Sequence, residues 1–436
     1  MKGTARLRRR ILSRDAEIAV LGQGYVGLSL ACAAAEAGFH VTGIDPYRER
    51  TDALRQGTLA VPGVSETAYR AGFESGRLEF ALAADAIESS DVIVVCVPTP
   101  VQDHSPDLSH IEAACKEVAL RLRPGAMVIL ESTTYPGTTE EIVRPILESS
   151  ALSAEHDFLL AYSPERIDPG NIAFDFRDVP RVVGGLTAEA AGAAALFYGQ
   201  LVDQVVPVAS CRSAELAKLL ENAFRHVNIA LVNEMAMLCH EMGIDAWEVI
   251  RAAASKPFGF MSFQPGPGVG GHCIPLDSTY LAWQIRRDAG HQFRILEQAE
   301  DINSQMPSYV VSRIVETLND AGKSVRGAGI LVLGVAYKAD VGDIRESPAL
   351  RIMQGLARRG ARVSWSDPHV AEIPSAGMPA LTRCELSLRA LDAADIVALL
   401  TPHSAFDLAW IGQHASLVFD ARNAFGANSP PTVVAL

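Results

Sequence analysis

Glu17-Ile-Ala-Val-Leu-Gly-Gln-Gly-Tyr-Val-Gly27 is an apolar run that opens into three spaced glycines, and an alanine-rich stretch follows from Leu28 to Gly38. The run reads as a buried strand, Gly22, Gly24 and Gly27 as a GxGxxG turn, and the alanine-rich stretch as a helix. The first glycine permits a tight turn, the second close approach of backbone to a pyrophosphate, and the third close helix–strand packing. The N-terminus of that helix then offers N–H groups to the phosphates, and Tyr25 and Val26 in the turn fall among the expected cofactor contacts. A second strand, Val41 to Ile44, ends on Asp45, whose carboxylate suits ribose hydroxyls and repels a 2′-phosphate. This stretch predicts a dinucleotide site, with NAD favoured over NADP.

Outward from it, the same rhythm continues. Asp91 to Val97 is a buried strand running into Pro98-Thr99-Pro100, and Met127 to Glu131 another, running into Ser132-Thr133-Thr134. Strands alternating with helical stretches predict a parallel sheet with right-handed crossovers. Thr99 and Thr133 stand where open α/β sheets place their ligands, though isolated threonines also serve as turn residues. Arg50 can lie beside the adenosine phosphate or on the solvated surface. Near the other end the plan repeats. Gly329 to Gly334 echoes the first strand and its turn, Val363 to Pro368 echoes Ile44-Asp45-Pro46, and Ala394 to Pro402 echoes Ser90 to Pro98. The expectation is an α/β protein with two Rossmann-like doubly wound domains, joined by a long central helix and a helical dimerisation domain. That helix, Ser213 to about Gly243, carries Leu216, Leu219, Leu220, Ala223, Val227, Leu231, Met235 and Leu238 at helical spacing. It can build an oligomer interface or a core within one subunit. The boundaries read as a basic extension at 1–16, an NAD-binding domain at 17–212, a central helical domain with the catalytic loop at 213–306, and a second Rossmann-like domain at 307–436.

The 436 residues carry a formal net charge of −13, which argues against nucleic acid as a main partner. Seven cysteines without a CxxC pair argue against a disulfide scaffold or a zinc site, and no metal is expected. No apolar run is long enough to span a membrane, and the basic start lacks the apolar core of a secretory signal, so a cytoplasmic protein is expected. The start itself reads as a solvated extension.

The densest chemical signal is Gln264-Pro-Gly-Pro-Gly-Val-Gly-Gly-His-Cys-Ile-Pro-Leu-Asp277. Little side-chain bulk before Cys273 lets backbone approach a ligand closely. Cys273 is then either a nucleophile or a structural cysteine beside a turn, with Asp277 four residues on. Lys218 and Asn222, four apart on the long helix, share a face, with Arg225 on nearly the same stripe. A lysine and an amide aimed at one oxygen make an oxyanion clamp, and the alternative is a solvated helix face.

Taken with Val97-Pro-Thr-Pro100, Glu131-Ser-Thr-Thr-Tyr-Pro-Gly137, Ser163-Pro-Glu-Arg166, Lys218-Leu-Leu-Glu-Asn222, Gly270-Gly-His-Cys-Ile-Pro275 and Gly334-Val-Ala-Tyr-Lys338 through Arg345-Glu-Ser-Pro348, the chain resembles the UDP-glucose/GDP-mannose dehydrogenase family from Glu17 onward. The resemblance implies a twofold, NAD-dependent oxidation at C6 of a UDP-sugar in a homodimer or larger homo-oligomer. It implies Cys273 as nucleophile, Lys218, Asn222 and a water on Thr133 around the alkoxide, and Asp277 or Glu165 as general base. Gly270, Arg166, Arg225, Tyr337, Lys338 and Arg422 fall on the substrate side, and Arg345 on the cofactor. The Gly-Gly-His-Cys-Ile-Pro and Glu-Ser-Thr-Thr-Tyr-Pro-Gly-Thr-Thr motifs look like the branch acting on UDP-N-acetylhexosamines, with UDP-N-acetylglucosamine the first expectation. UDP-glucose and UDP-N-acetylmannosamine are the alternatives. UDP-glucose enzymes usually have lysine where this chain has Leu276. The chain departs from its branch at Asp277-Ser278, where Asp-Pro is common, and near Lys256, where the family often places a basic residue that reaches the neighbouring subunit.

Three rivals fit less well. A hydroxyacid or 6-phosphogluconate-type dehydrogenase needs neither the cysteine nor the second Rossmann-like domain. An epimerase needs a Tyr-x-x-x-Lys, which is absent. A non-catalytic nucleotide-sugar binder is expected to have lost Cys273, Lys218 or Asp277.

Overall fold

A computed structural model describes residues 2–102, 105–167, 174–271, 274–374 and 381–436. The chain forms two compact units, one of Met1–Glu221 with Thr279–Arg287, the other of Asn222–Ser278 with Asp288–Leu436.

The first unit is built on strands β1 (Glu17–Leu21), β2 (His40–Ile44), β3 (Leu78–Ala81), β4 (Val92–Val95), β7 (Met127–Leu130), β8 (Leu159–Tyr162), β9 (Arg181–Gly185) and β10 (Val205–Pro207); β5 (Val101–Gln102) and β6 (Ser105–Pro106) make a small separate hairpin. The sheet order is β10-β9-β8-β7-β4-β1-β2-β3, parallel except where β8 meets β9. β1 pairs in register with β2, from Glu17 opposite His40 to Leu21 opposite Ile44. Strands such as Val92-Ile-Val-Val95 and Met127-Val-Ile-Leu130 are buried throughout, as a sheet covered on both faces requires. Helix Tyr25–Glu36 packs its Leu28, Ala31 and Ala35 into the core on one side.

The basic start is not a solvated extension. Lys2–Ser13 is a helix whose Leu7 and Ile11 are buried in the same core as Ala193 and Phe197. Two fully buried aliphatic side chains contribute about 3–6 kcal/mol. That is enough to hold a short helix that is marginal alone. Arg10 adds an ion pair to Asp91 at 3.1 Å, while Arg6, Arg8 and Arg9 stay exposed.

The second unit carries β11 (Gly329–Leu333), β12 (Arg362–Ser366), β13 (Thr382–Arg383), β14 (Ile396–Leu399), β15 (Val418–Asp420) and β16 (Val433–Ala435) in the parallel order β13-β12-β11-β14-β15-β16. Both expected doubly wound sheets are therefore present. The long helix spans Cys211–Glu241. On it Leu219 and Ala223 are buried, but Leu216, Leu220, Leu231, Met235 and Leu238 are exposed. Among the described residues, no helix is long and apolar enough to cross a membrane.

Candidate active site

In the first unit the site begins where β1 ends. Gly22 turns with φ +89°, its N–H donating to the Ile44 carbonyl at 2.8 Å. A Cβ there would lie 2.5 Å from the Cys96 carbonyl oxygen, and one on Gly27 would lie 1.9 Å from the Gly22 carbonyl oxygen. Only glycine fits either place. Gly24 differs, because nothing lies within 4 Å of its would-be Cβ. It is the N-cap of helix Tyr25–Glu36, so no N-cap side chain engages the first N–H groups. Open space over a glycine at a helix N-terminus fits a pyrophosphate. Asp45 is buried, accepting from the N–H of Gln23 and Tyr47 at 2.8 Å each and from Arg50 at 2.9 Å. Arg50 is thus tied to Asp45, with its guanidinium 5.3 Å from the Tyr47 ring centre.

Beyond the neighbouring strand ends, Ser132 Oγ donates to the Val97 carbonyl at 2.8 Å, lacing the turn after β7 to that after β4. Thr133 beside it is half-buried, and Thr99 is buried with its carbonyl accepting from the Tyr280 hydroxyl. Glu215 accepts from the Gly137 N–H at 2.5 Å and the Thr139 N–H at 2.9 Å, fixing the segment after Thr133. Glu165 is buried and accepts from the Ile167 N–H. Arg166 holds Glu221 at 2.7 Å and the Pro180 carbonyl at 2.7 Å. Lys218 is buried.

One residue in this unit escaped the sequence reading. Arg181, opening β9, is buried and ion-paired with the buried Glu131, and it also reaches the Pro164 carbonyl at 3.3 Å. It ties β7 to the segment that carries Glu165. Its signal was an arginine at the head of an apolar strand, which only a partner acid fifty residues away could explain.

In the second unit, Asn222 is the hinge of a short polar chain. Its Nδ2 donates to Asp277 Oδ2, and its Oδ1 accepts from Arg225 at 2.9 Å. Asp277 is buried in the first turn of helix Ile274–Ala289, where the helix dipole favours a carboxylate. Three of the expected residues are therefore joined. The glycine loop packs against three more. A Cβ on Gly266 would lie 2.5 Å from Arg422 Nη1, one on Gly270 2.9 Å from Tyr337 Cβ, and one on Gly271 2.8 Å from the Tyr337 ring. The Gly271 N–H donates to the Arg345 carbonyl at 3.0 Å, while the Arg345 guanidinium pairs with Asp343 at 2.7 Å. Burial pulls Arg422 down to about 10, against the opposing pull of Asp420, so it stays charged at neutral pH. Lys338 is half-buried nearby in sequence.

Cys273 lies outside the described residues. Among the others, burial pushes the thiols of Cys32 and Cys115 up to about 12 and raises Cys96 and Cys211 as well, which leaves these four as inert thiols. Asp340, His369 and His403 cluster closely enough to suggest a cation site. However, His403 Nδ1 accepts from the Asp340 N–H at 2.9 Å and Nε2 lies 3.0 Å from Asp367, so both ring nitrogens are engaged. His403 is thus a clamp on Asp367, with the Asp340 N–H holding its other ring nitrogen.

The first unit's turn, helix and acid define a dinucleotide-binding domain. Residues 16–202 match the NAD binding domain of the UDP-glucose/GDP-mannose dehydrogenase family, 212–305 its central domain, and 331–427 its UDP binding domain. A UDP-N-acetyl-D-mannosamine dehydrogenase of Salmonella typhi is 35% identical over 404 residues, 89% of this chain and 94% of that protein. An NDP-N-acetyl-D-galactosaminuronic acid dehydrogenase of Ralstonia nicotianae is 36% identical over 402 residues, 89% and 91% of the two chains. The solved structure of the UDP-N-acetylmannosamine dehydrogenase of Pyrococcus horikoshii superposes with a TM-score of 0.85 at 32% identity, covering 96% of this chain and 98% of that one. The chain belongs to the UDP-glucose/GDP-mannose dehydrogenase family and is an NAD-dependent UDP-sugar dehydrogenase.

Proposed function

We propose that the chain oxidises the C6 hydroxyl of a UDP-N-acetylhexosamine to the carboxylate, in two NAD-dependent steps joined by a covalent intermediate on Cys273. The observation that carries this reading is the chain Arg225–Asn222–Asp277, in which the buried Asn222 amide and the buried Asp277 carboxylate hold one another in place. When bound, NAD takes a hydride from C6 in each step. Lys218 and Asn222, with a water on Thr133, steady the alkoxide that forms as the C6 hydroxyl proton leaves. The Cys273 thiolate then adds to the aldehyde, and the thiohemiacetal, after loss of its hydride and hydroxyl proton, becomes a thioester. Asp277 or Glu165 takes a proton from the water that hydrolyses it, releasing the acid and restoring the thiol. Arg422, Lys338, Tyr337, Arg166 and Arg225 bind the nucleotide sugar, and arginine and lysine suit its diphosphate. Asp45, Arg50, Thr99 and Arg345 complete the cofactor contacts.

For the sugar, the names of the relatives support the acetamido class and move UDP-N-acetylmannosamine ahead of the UDP-N-acetylglucosamine suggested by the motifs. Following NADH with UDP-N-acetylmannosamine, UDP-N-acetylgalactosamine, UDP-N-acetylglucosamine and UDP-glucose decides it. UDP-N-acetylmannosamine should exceed UDP-glucose in kcat/KM by about a hundredfold, since a polar group built into a pocket discriminates strongly. UDP-glucose as the best substrate would sink the acetamido reading. The exposed Phe224, Leu231, Met235 and Leu238 on the long helix suit burial against a second copy of the chain in a homodimer. The supply of UDP-sugar and NAD suits the cytoplasm.

A further inference from the structure

We infer that Asn233 and Asn303 are positioning residues for the glycine loop Gln264–Gly271, and that their hydrogen-bond relay governs capture of the aldehyde rather than its formation. This rests on the covalent reading above. The relay lies wholly within the second unit. The Gly266 N–H donates to Asn233 Oδ1 at 2.9 Å, Asn233 Nδ2 donates to Asn303 Oδ1 at 2.9 Å, and Asn303 Nδ2 donates to the His226 carbonyl at 3.1 Å. Its direction is fixed, because a backbone N–H at one end can only donate and a backbone carbonyl at the other can only accept. Both amides therefore have one allowed orientation. All three side chains are buried, with Asn233 and His226 at 0% exposure and Asn303 at 3%.

His226 and Asn233 stand two turns apart on the long helix, and Asn303 comes from helix Arg294–Asp320. The relay thus ties two helices to one point of the loop. The loop has no slack there. On its other side, a Cβ at Gly266 would strike Arg422, and one at Gly268 would lie 3.2 Å from the Asn303 carbonyl oxygen. Farther along, the Gly271 N–H is held by the Arg345 carbonyl at 3.0 Å. Two backbone pins therefore fix a segment that ends two residues before Cys273.

Neither asparagine contacts Lys218, Asn222 or Asp277 through any of these bonds. The first oxidation uses Lys218 and Asn222, which do not lie on the loop. The second needs the nucleophile that closely follows it. Loosening the Gly266 pin should therefore spare hydride loss from the alcohol and let the aldehyde escape before the thiol reaches it. An isosteric Asn233→Asp is the sharper disruption, since two oxygens then face each other where Nδ2 met Asn303 Oδ1.

The test uses the full chain with excess NAD, limiting UDP-sugar and hydroxylamine to trap free aldehyde as its oxime. Wild type should give two NADH per acid and almost no oxime. Asn233→Asp and the milder Asn303→Ser should keep the initial NADH rate within about threefold, lose acid formation by about tenfold, and turn most of the sugar into oxime. A melting temperature near wild type in either variant shows that the fold is retained, so one folded variant suffices. Two NADH per acid without oxime, at the wild-type rate, in a folded variant would overturn the inference. One NADH per sugar from wild type would instead overturn the covalent reading on which it rests.

Discussion

The ends of β1 and β11 start from the same geometry and diverge within five residues. Gly22 and Gly334 both turn with positive φ, +89° and +80°, and their N–H groups donate across to Ile44 and Ser366, the last residues of the neighbouring strands. A side chain on either would strike a carbonyl oxygen of the next strand's exit, Cys96 at 2.5 Å or Thr401 at 2.2 Å. An aspartate follows each neighbouring strand and accepts N–H groups from the turn, Asp45 from Gln23 and Asp367 from Val335 and Ala336. From there the paths part. In the first unit Gly24 opens directly into a helix. In the second, Ala336 stands at the matching place, and residues 335–347 intervene before helix Pro348–Arg358 begins. That inserted stretch carries Tyr337, Lys338 and Arg345. His403 also closes on Asp367, whose carboxylate accepts further N–H groups from His369 and Val370. One turn is left open so that a ligand can approach its backbone, and the other is filled and made to present side chains. A shared strand and glycine turn therefore sets a place for chemistry, and the next five residues decide which.

The largest effect should come from filling the open turn. Gly24→Val meets no protein atom within 4 Å of its Cβ, so its melting temperature should stay near wild type. NAD affinity, by calorimetry, should fall about a hundredfold, roughly 2.7 kcal/mol, with UDP-sugar affinity unchanged. A variant that still binds NAD normally would break the assignment of this turn to the pyrophosphate.

A matched pair of aspartate variants should sharpen the contrast at smaller magnitude. Asp45→Asn should weaken NAD about tenfold and narrow its advantage over NADP, because the charge that repels a 2′-phosphate is gone. Asp367→Asn should leave NAD binding alone and act on stability. Burial by itself would raise the Asp367 carboxyl, but the His403 bond and the N–H donors of His369, Ala336 and Val335 overcome it and hold it at about 2. A carboxyl held below its ordinary value stabilises the fold above about pH 4, and loses that contribution as pH falls toward 2. The difference amounts to about 2 kcal/mol. The wild-type melting temperature should therefore drop more steeply than that of Asp367→Asn across that window, and parallel curves would remove His403 from its role as clamp.

Legibility in the sequence followed range. The strand, glycine turn and terminal aspartate are contiguous, so both sheets, the turn at Gly22 and the place of Asp45 at the end of β2 could be read directly, as could the echo at Gly334 and Asp367. The face shared by Lys218 and Asn222 followed from helical spacing alone. What escaped depends on partners far away in the chain. Arg181 makes sense only with Glu131, and Asn233 only with Asn303, seventy residues on. Leu7 and Ile11 were hidden among arginines, though their spacing of four marks one helix face.

The covalent reading is tested most directly by titrating limiting UDP-sugar against excess NAD with wild type and Cys273→Ser. Wild type should give two NADH per sugar, and the serine variant no acid with UDP-sugar binding intact. A serine variant that still delivered two NADH per sugar at the wild-type rate would contradict it.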